Sequence, residues 1–122
     1  MWTYKIALGQ MIGPQGEVFP GYSGAGYTEA DGRNNPEMVA DPDKGPIPPG
    51  CYTIMPPEND PRTGPYSMHL EPTLTTNTFG RSAFLIHGNN AANDASHGCI
   101  ILPPDARHDI WASGDHDLTV MP

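Results

Sequence analysis

The stretch FLIHGNNAANDASHGCIIL, residues 84–102, decides the fold of this chain. Its two ends are short apolar runs of the kind that form buried strands. Residues 89–95 between them are small and polar, so the chain can turn back and bring the two runs side by side. This arrangement would set His87, at the end of the first run, near Cys99, just before the second.

Further strands are predicted on both sides of this stretch. Apolar and polar residues alternate over residues 2–8, which is the pattern of a strand that buries one face. The turn residues Gly13 to Gly16 separate two more apolar pairs, 11–12 and 18–19, and predict an N-terminal hairpin. Other strand candidates are residues 51–55, 67–70, 83–87 and 118–121.

The rest of the chain predicts one long loop and one short helix. Residues 21–49 are rich in Gly, Asn, Asp and Pro without a regular period, so we expect a surface connection that borders a groove. Pro103 and Pro104 end the last apolar run, and a helix should follow through Ile110 or Trp111. We therefore expect a mainly β protein, a compact antiparallel sheet folded over itself as a sandwich or barrel. No linker interrupts it, which predicts a single domain over residues 1–122.

Composition excludes two classes of partner. The net charge of -8 opposes binding to nucleic acid, and no cluster of Lys or Arg overcomes it locally. No apolar run approaches the ~20 residues that cross a bilayer, so no membrane partner is expected. The N-terminus lacks the features of a secretory signal, which predicts synthesis in the cytoplasm.

The two cysteines differ in their surroundings. Cys51 alternates with apolar residues in a strand-like run, whereas Cys99 follows Ser96, His97 and Gly98. The pair could form a disulfide or remain two thiols with separate roles. The context of Cys99 favours a chemical role for that residue.

A cysteine nucleophile needs a neighbouring base, because only a few per cent of a free thiol is ionised at neutral pH. His87 is the first candidate for that base. Gly98 leaves room for a substrate carbonyl, and the backbone N–H groups of Gly98 and Cys99 could stabilise an oxyanion. Gly88, next to the histidine, allows close approach of a substrate.

Several roles stay open at this stage. His97 is an alternative base or a substrate contact, and the imidazole of His87 needs an acceptor, for which Ser96, Asp94 or a backbone carbonyl is available. Arg81 could bind a substrate carboxylate or belong to a surface ion pair. A zinc site built from His87, His97, Cys99 and Asp94 is a chemical competitor, but its spacing lacks the paired-ligand pattern of common zinc folds.

His87-Gly88 followed by Ser96-His97-Gly98-Cys99-Ile100 resembles the active-site motif of L,D-transpeptidases of the YkuD type. The interval between histidine and cysteine is shorter than in the cell-wall synthesis enzymes, and Ile101 stands where they commonly carry Arg or Asn. The chain is more similar to the compact L,D-transpeptidase-like effectors of type VI secretion systems. That similarity extends over Gly21–Gly24, Asn35-Pro36, Gly45–Pro48 with Gly50 and Tyr52, Leu70–Pro72 and Gly80-Arg81.

The resemblance implies a compact L,D-transpeptidase catalytic fold, a function and a set of site residues. Cys99 would attack the bond between meso-diaminopimelate and D-alanine in the tetrapeptide stem of peptidoglycan, forming a thioester that water or a D-amino acid resolves. No cofactor or metal is expected. The site residues are, as catalytic groups, Cys99, His87, Ser96 and Gly98 and, as substrate-binding groups, His97, Gly88, Arg81 and Tyr22.

The resemblance also implies a biological setting. An antibacterial toxin of this kind is secreted, acts in the periplasm of a target bacterium, and has a cognate immunity protein. Ile101, in place of the usual polar residue, argues against cross-linking, although a cross-linking cell-wall enzyme remains an alternative.

An alternative of another class is a non-catalytic peptidoglycan-binding module. Aromatic side chains could line a groove for saccharide in such a module. The candidates are Tyr22, Tyr27, Tyr52, Tyr66 and Trp111.

Overall fold

The computed structural model describes residues 1–122, which form ten β-strands, one α-helix and two 3₁₀ helices. The strands are β1 (Trp2–Lys5), β2 (Gln10–Ile12), β3 (Val18–Pro20), β4 (Tyr22–Ser23), β5 (Gly50–Ile54), β6 (Glu58–Asp60), β7 (Gly64–Pro72), β8 (Leu85–His87), β9 (Ile100–Ile101) and β10 (Asp117–Met121). The helix α1 spans Pro104–Ala112, and the 3₁₀ helices span Glu29–Asp31 and Pro36–Met38.

One continuous path of strands organises the molecule. Its order is β3-β2-β1-β10-β5-β7-β8-β9-β4, and β6 pairs with β7 outside this path. The pairs β1 with β10 and β8 with β9 are parallel, and the other pairs are antiparallel. The prediction of a mainly β fold with one short helix is confirmed, with these two parallel pairs as an addition.

The core is a single cluster of 17 buried residues contributed by both ends of the chain and by the strands around the site. Trp2 and Tyr4 on β1 have no exposed surface, and neither do Ile86 on β8 and Ile100 on β9. The helix α1 adds Ala106 and Ile110 to the same cluster. The strand that carries His87 and the strand that follows Cys99 are therefore fixed to the main core by their alternate side chains.

Most predicted elements are confirmed, and two are corrected. The first strand ends at Lys5 rather than continuing to Leu8, because residues 6–9 form a turn that includes Gly9 at φ +61° and leaves Leu8 61% exposed. The segment 21–49 is not only a surface loop. It contains β4, which pairs with β9, and a buried segment, residues 45–48, that lies against the site.

The helix begins where the prolines predict and has no side-chain N-cap. It buries Ala106, Arg107 and Ile110. No helix of the structure has the length and apolar character that a membrane span requires.

Ile86→Ala should lower the free energy of unfolding by about 2–5 kcal/mol, because it leaves a cavity between β8 and the core. Urea unfolding followed by tryptophan fluorescence measures this change. Val18→Ala is the control: Val18 is 52% exposed, so the substitution should change stability far less. Equal losses in the two variants would contradict the packing described for β8.

Candidate active site

His87 and Cys99 face the same cavity because of the register between two parallel strands. Ile86 pairs with Ile100 and His87 with Ile101. Side chains alternate along a strand, so Ile86 and Ile100 enter the core while the residues beside them face the other side of the sheet. There His87 and Cys99 line a cavity of about 550 Å³, which we call the reactive cavity.

The imidazole of His87 is oriented by a backbone carbonyl. Nδ1 lies 2.9 Å from the Gly88 carbonyl oxygen, which can only accept, so Nδ1 carries the proton and the lone pair of the neutral ring is on Nε2. Burial lowers the pKa of His87, the hydrogen bond to Gly88 opposes that shift, and the charge of Arg107 adds to it. Of the acceptors considered from the sequence, the backbone carbonyl is therefore the one used. His87 can act as a base through Nε2.

The protonated form of the Cys99 thiol is favoured, because burial raises its pKa. A hydrogen bond with the backbone of Leu85 and the positive charges of Arg62 and Arg81 partly oppose that shift. Its Sγ lies 3.8 Å from the carbonyl oxygen of Ala83, a weak hydrogen bond from the thiol. A thiol in this state becomes a good nucleophile when a base takes its proton during attack.

Ser96 shapes the backbone around Cys99. Its buried Oγ donates to the Cys99 carbonyl at 2.7 Å and accepts the N–H groups of Gly24 at 2.9 Å and Gly98 at 3.2 Å. These bonds differ from the predicted role of Ser96 as a partner of His87. We therefore assign it a positioning role.

The N–H of Gly98 is also not free for an oxyanion, because it donates to Ser96. The N–H of Cys99 makes no hydrogen bond within the protein, so it is the available donor beside the Cys99 thiol. Gly98 has φ +130°, and a Cβ there would lie 2.5 Å from the Arg81 guanidinium. Glycine is thus needed at position 98 for the backbone conformation and for space.

Tyr22 holds both ends of the loop between His87 and Cys99. Its hydroxyl donates to Oδ1 of Asn89 at 2.6 Å and accepts the N–H of Ala95 at 2.9 Å. The side chain is only 4% exposed, and it lines a second cavity rather than the reactive one. The structure therefore gives Tyr22 a positioning role, whereas the sequence predicted contact with substrate.

Arg81 fixes the loops that surround the site. Its two terminal nitrogens donate to four carbonyl oxygens, on Val39, Gly45, Pro46 and His97. The predicted binding of a substrate carboxylate by these nitrogens is not supported, because the loop carbonyls already occupy them.

The remaining predicted residues lie at the rim. His97 is exposed, its Nδ1 faces the Asp43 carbonyl at 3.3 Å, and its side chain lines the reactive cavity, where it remains a substrate contact by prediction. Gly88 also lines this cavity, and Asp94 accepts a hydrogen bond from Asn90 at 2.8 Å.

Both cysteines are free thiols, so the alternative of a Cys51–Cys99 disulfide is wrong for this structure. A different group of side chains brings its metal-ligating atoms within 4.8 Å of one another: Glu58, Asp60 and His69, on β6 and β7. That group includes none of the residues of the zinc alternative.

Four residues at the site were missed from the sequence. Arg62 lines the reactive cavity, Asn89 lines both cavities, and Arg33 and Arg107 line the second. Arg107 is 7% exposed although it is an arginine on a short helix. The one available signal was the position of Arg107 in the sequence, between the apolar residues Ala106 and Ile110 of the predicted helix.

The Tlde1 domain model matches residues 17–120. The chain belongs to the Tlde1 domain family. This is the type VI L,D-transpeptidase effector family that the sequence resembles, so the resemblance is confirmed. A search of curated protein sequences finds no match.

A solved structure gives the same fold. The crystal structure of L,D-transpeptidase 1 from Mycobacterium tuberculosis is similar with a TM-score of 0.58 and 17% sequence identity. The match covers 99% of this chain and 58% of that one, so the Tlde1 chain spans little more than half the length of this neighbour. The predicted L,D-transpeptidase-like fold is confirmed.

Ser96→Ala should lower kcat by about tenfold or more, because it removes three hydrogen bonds that position the backbone of Cys99. Steady-state assays with peptide stems measure kcat and KM separately. Ser82→Ala is the matched control, since Ser82 is exposed and its side chain makes no hydrogen bond. If kcat is unchanged in Ser96→Ala, this positioning role is wrong.

Alkylation should report the raised pKa of Cys99. In a Cys51→Ser background, the rate with iodoacetamide should rise with pH to a midpoint above that of a free thiol. Arg62→Gln should move the midpoint further up by removing a positive charge, while Lys5→Gln, remote on β1, should leave it in place. A midpoint at or below that of a free thiol would contradict the assignment.

Proposed function

We propose that the protein is a cysteine acyltransferase that acts on the tetrapeptide stems of peptidoglycan. The observation that carries the proposal is the common cavity of His87 and Cys99, with Nε2 of the histidine free to accept a proton. The family and the fold support the L,D-transpeptidase type of chemistry.

The first half-reaction forms a thioester. As Sγ of Cys99 attacks the diaminopimelate carbonyl carbon, the thiol proton moves to Nε2 of His87. The carbonyl oxygen becomes an oxyanion, and the N–H of Cys99, which has no partner within the protein, would donate to it. The tetrahedral intermediate then expels D-alanine, whose amine takes the proton from His87.

The second half-reaction releases the stem. Water or the amine of a D-amino acid attacks the thioester while His87 accepts its proton, and the Cys99 thiol is restored. Water gives carboxypeptidase activity, and a D-amino acid gives exchange. Ile101 is buried and lines the second cavity, so no polar side chain at this position is available to a second stem, which favours these two outcomes over cross-linking.

The setting of this activity is also part of the proposal. Membership of the Tlde1 domain family supports an antibacterial effector that is secreted and acts in the periplasm of a target bacterium. An immunity protein in the producing cell would protect it from the same enzyme.

The acid limb of kcat/KM should lie below the ordinary imidazole pKa of about 6.5. Burial lowers the pKa of His87, so the ring stays neutral to a lower pH than a free imidazole and loses its function only as pH falls through that lower value. A pH series with a tetrapeptide substrate measures the limb. A limb above the ordinary imidazole pKa would be inconsistent with His87 as the base.

Cys99→Ala should abolish the conversion of tetrapeptide muropeptides, because it removes the nucleophile. Mass spectrometry should find loss of one D-alanine, or its replacement by an added D-amino acid, only with the unmodified protein. Cys51→Ser is the matched control, since Cys51 is exposed on β5 and should be dispensable.

Unchanged muropeptides with folded, reduced protein would favour the binding-module alternative. The aromatic residues give that alternative little support. Tyr52 is in the core, Tyr66 stacks on His108 and Trp111 stacks on His116. These side chains do not form one groove, and Tyr22 is the only Tyr, Trp or Phe that lines either cavity.

A further inference from the structure

A second cavity, of about 760 Å³, adjoins the reactive cavity. The two share Thr63, Gly88 and Asn89 in their walls. A peptide bound across these three residues could therefore place one group at Cys99 and another in the second cavity. An extended chain advances only about 3.3 Å per residue. The group in the second cavity would therefore be one or two residues from the scissile bond.

Arg107 is the unusual residue of this cavity. Arg107 as a whole residue is only 7% exposed, and its Nε and Nη1 donate to the carbonyls of Leu102, Pro65 and Tyr66. Nη2 has no partner in the protein, and no carboxylate lies within 4.0 Å of the guanidinium. A cation buried without a counter-ion is costly, and an anion bound at Nη2 would offset that cost.

Gly88 keeps this nitrogen accessible from the shared wall. A Cβ at position 88 would lie 2.9 Å from Nη2 of Arg107, closer than a side chain can pack. The guanidinium thus lies directly against Gly88, whose carbonyl orients the ring of His87. A ligand held by Arg107 would be held next to the catalytic base.

Arg33 adds a second positive charge to the same cavity. Its guanidinium stacks on Tyr22 at 3.5 Å from the ring centre and donates to the carbonyls of Gly26 and Asn93. No Asp or Glu lines this cavity, although the chain has 14 acidic residues against 6 Lys and Arg. The cavity is therefore locally cationic on an acidic protein.

We infer that the second cavity is a carboxylate subsite, in which Arg107, aided by Arg33, binds a carboxylate within the peptide stem other than that of the leaving D-alanine. This inference rests on the proposed function, because it takes the stem as the substrate. The guanidinium of Arg107 supplies a charge-assisted hydrogen bond from Nη2, and Ile101 and Pro103 supply apolar contact for the adjoining chain. The subsite would draw an anionic substrate to a protein whose net charge is -8.

The test measures carboxylate preference in the Cys99→Ala protein, which binds without turnover. Calorimetry compares a tetrapeptide stem that has all its carboxylates free with stems amidated at one internal carboxylate at a time. One amidation should weaken binding by about tenfold or more, because the loss of a charged hydrogen bond has that size. Equal affinity for all stems would overturn the inference.

Two variants test whether the preference for a free carboxylate arises in the second cavity. Arg33→Gln and Arg107→Lys, each in the Cys99→Ala background, should lower the free-to-amide affinity ratio severalfold. This ratio is insensitive to a general loss of folded protein, which is important because Arg107 also holds three carbonyls. Lys5→Gln removes one charge at a remote strand and should keep the full ratio. A ratio unchanged in both arginine variants would refute the subsite.

The inference and the proposed function fail in different ways. The protein with Cys99 intact is assayed in parallel for loss of D-alanine from the same stems. Turnover with no discrimination between free and amidated stems overturns the subsite alone. No turnover of any stem overturns the proposed function, and the subsite for the stem falls with it.

Discussion

The parallel pairing of β8 with β9 is the interaction on which the site depends. Ile86 and Ile100 are partners in this register and have no exposed surface. Because side chains alternate, this apolar pair sends His87 and Cys99 to the opposite face of the sheet. A shift of either strand by one residue would turn its reactive side chain toward the core, so the hydrophobic effect that fixes the register also fixes the direction of the reactive groups.

Arginine side chains order the loops around these strands. The chain contains 14 glycines and 15 prolines, and much of the site is built from irregular backbone whose carbonyls lack strand partners. Arg81 donates to four such carbonyls, and Arg107 donates to the carbonyl of Leu102 and to those of Pro65 and Tyr66 at the start of β7. Buried carbonyls need donors, and a guanidinium offers several in a fixed geometry. Loops without regular structure thereby acquire a defined position.

The hydrogen bonds of Arg81 and Arg107 give these two arginines different functions. Arg81 has its terminal nitrogens occupied by carbonyls, which makes it an anchor. Arg107 keeps one nitrogen free and has no acidic partner, which makes it both an anchor and a potential binding group. With Arg33 it concentrates positive charge at the second cavity, so the local field there differs in sign from the net charge of the chain.

The sequence by itself determined the strands on either side of the site and the short helix, because apolar periodicity and proline positions act locally. The spacing of His87 and Cys99 permitted their approach, but the pairing of β8 with β9 decided it. It did not determine the partners of Ser96, Tyr22 and Arg81. Those partners come from segments as distant as Gly24, Val39 and Ala95, and only the tertiary structure brings them together. The buried cation at position 107 likewise emerges only when α1 packs against β7, since burial and the lack of a counter-ion are properties of the packed chain.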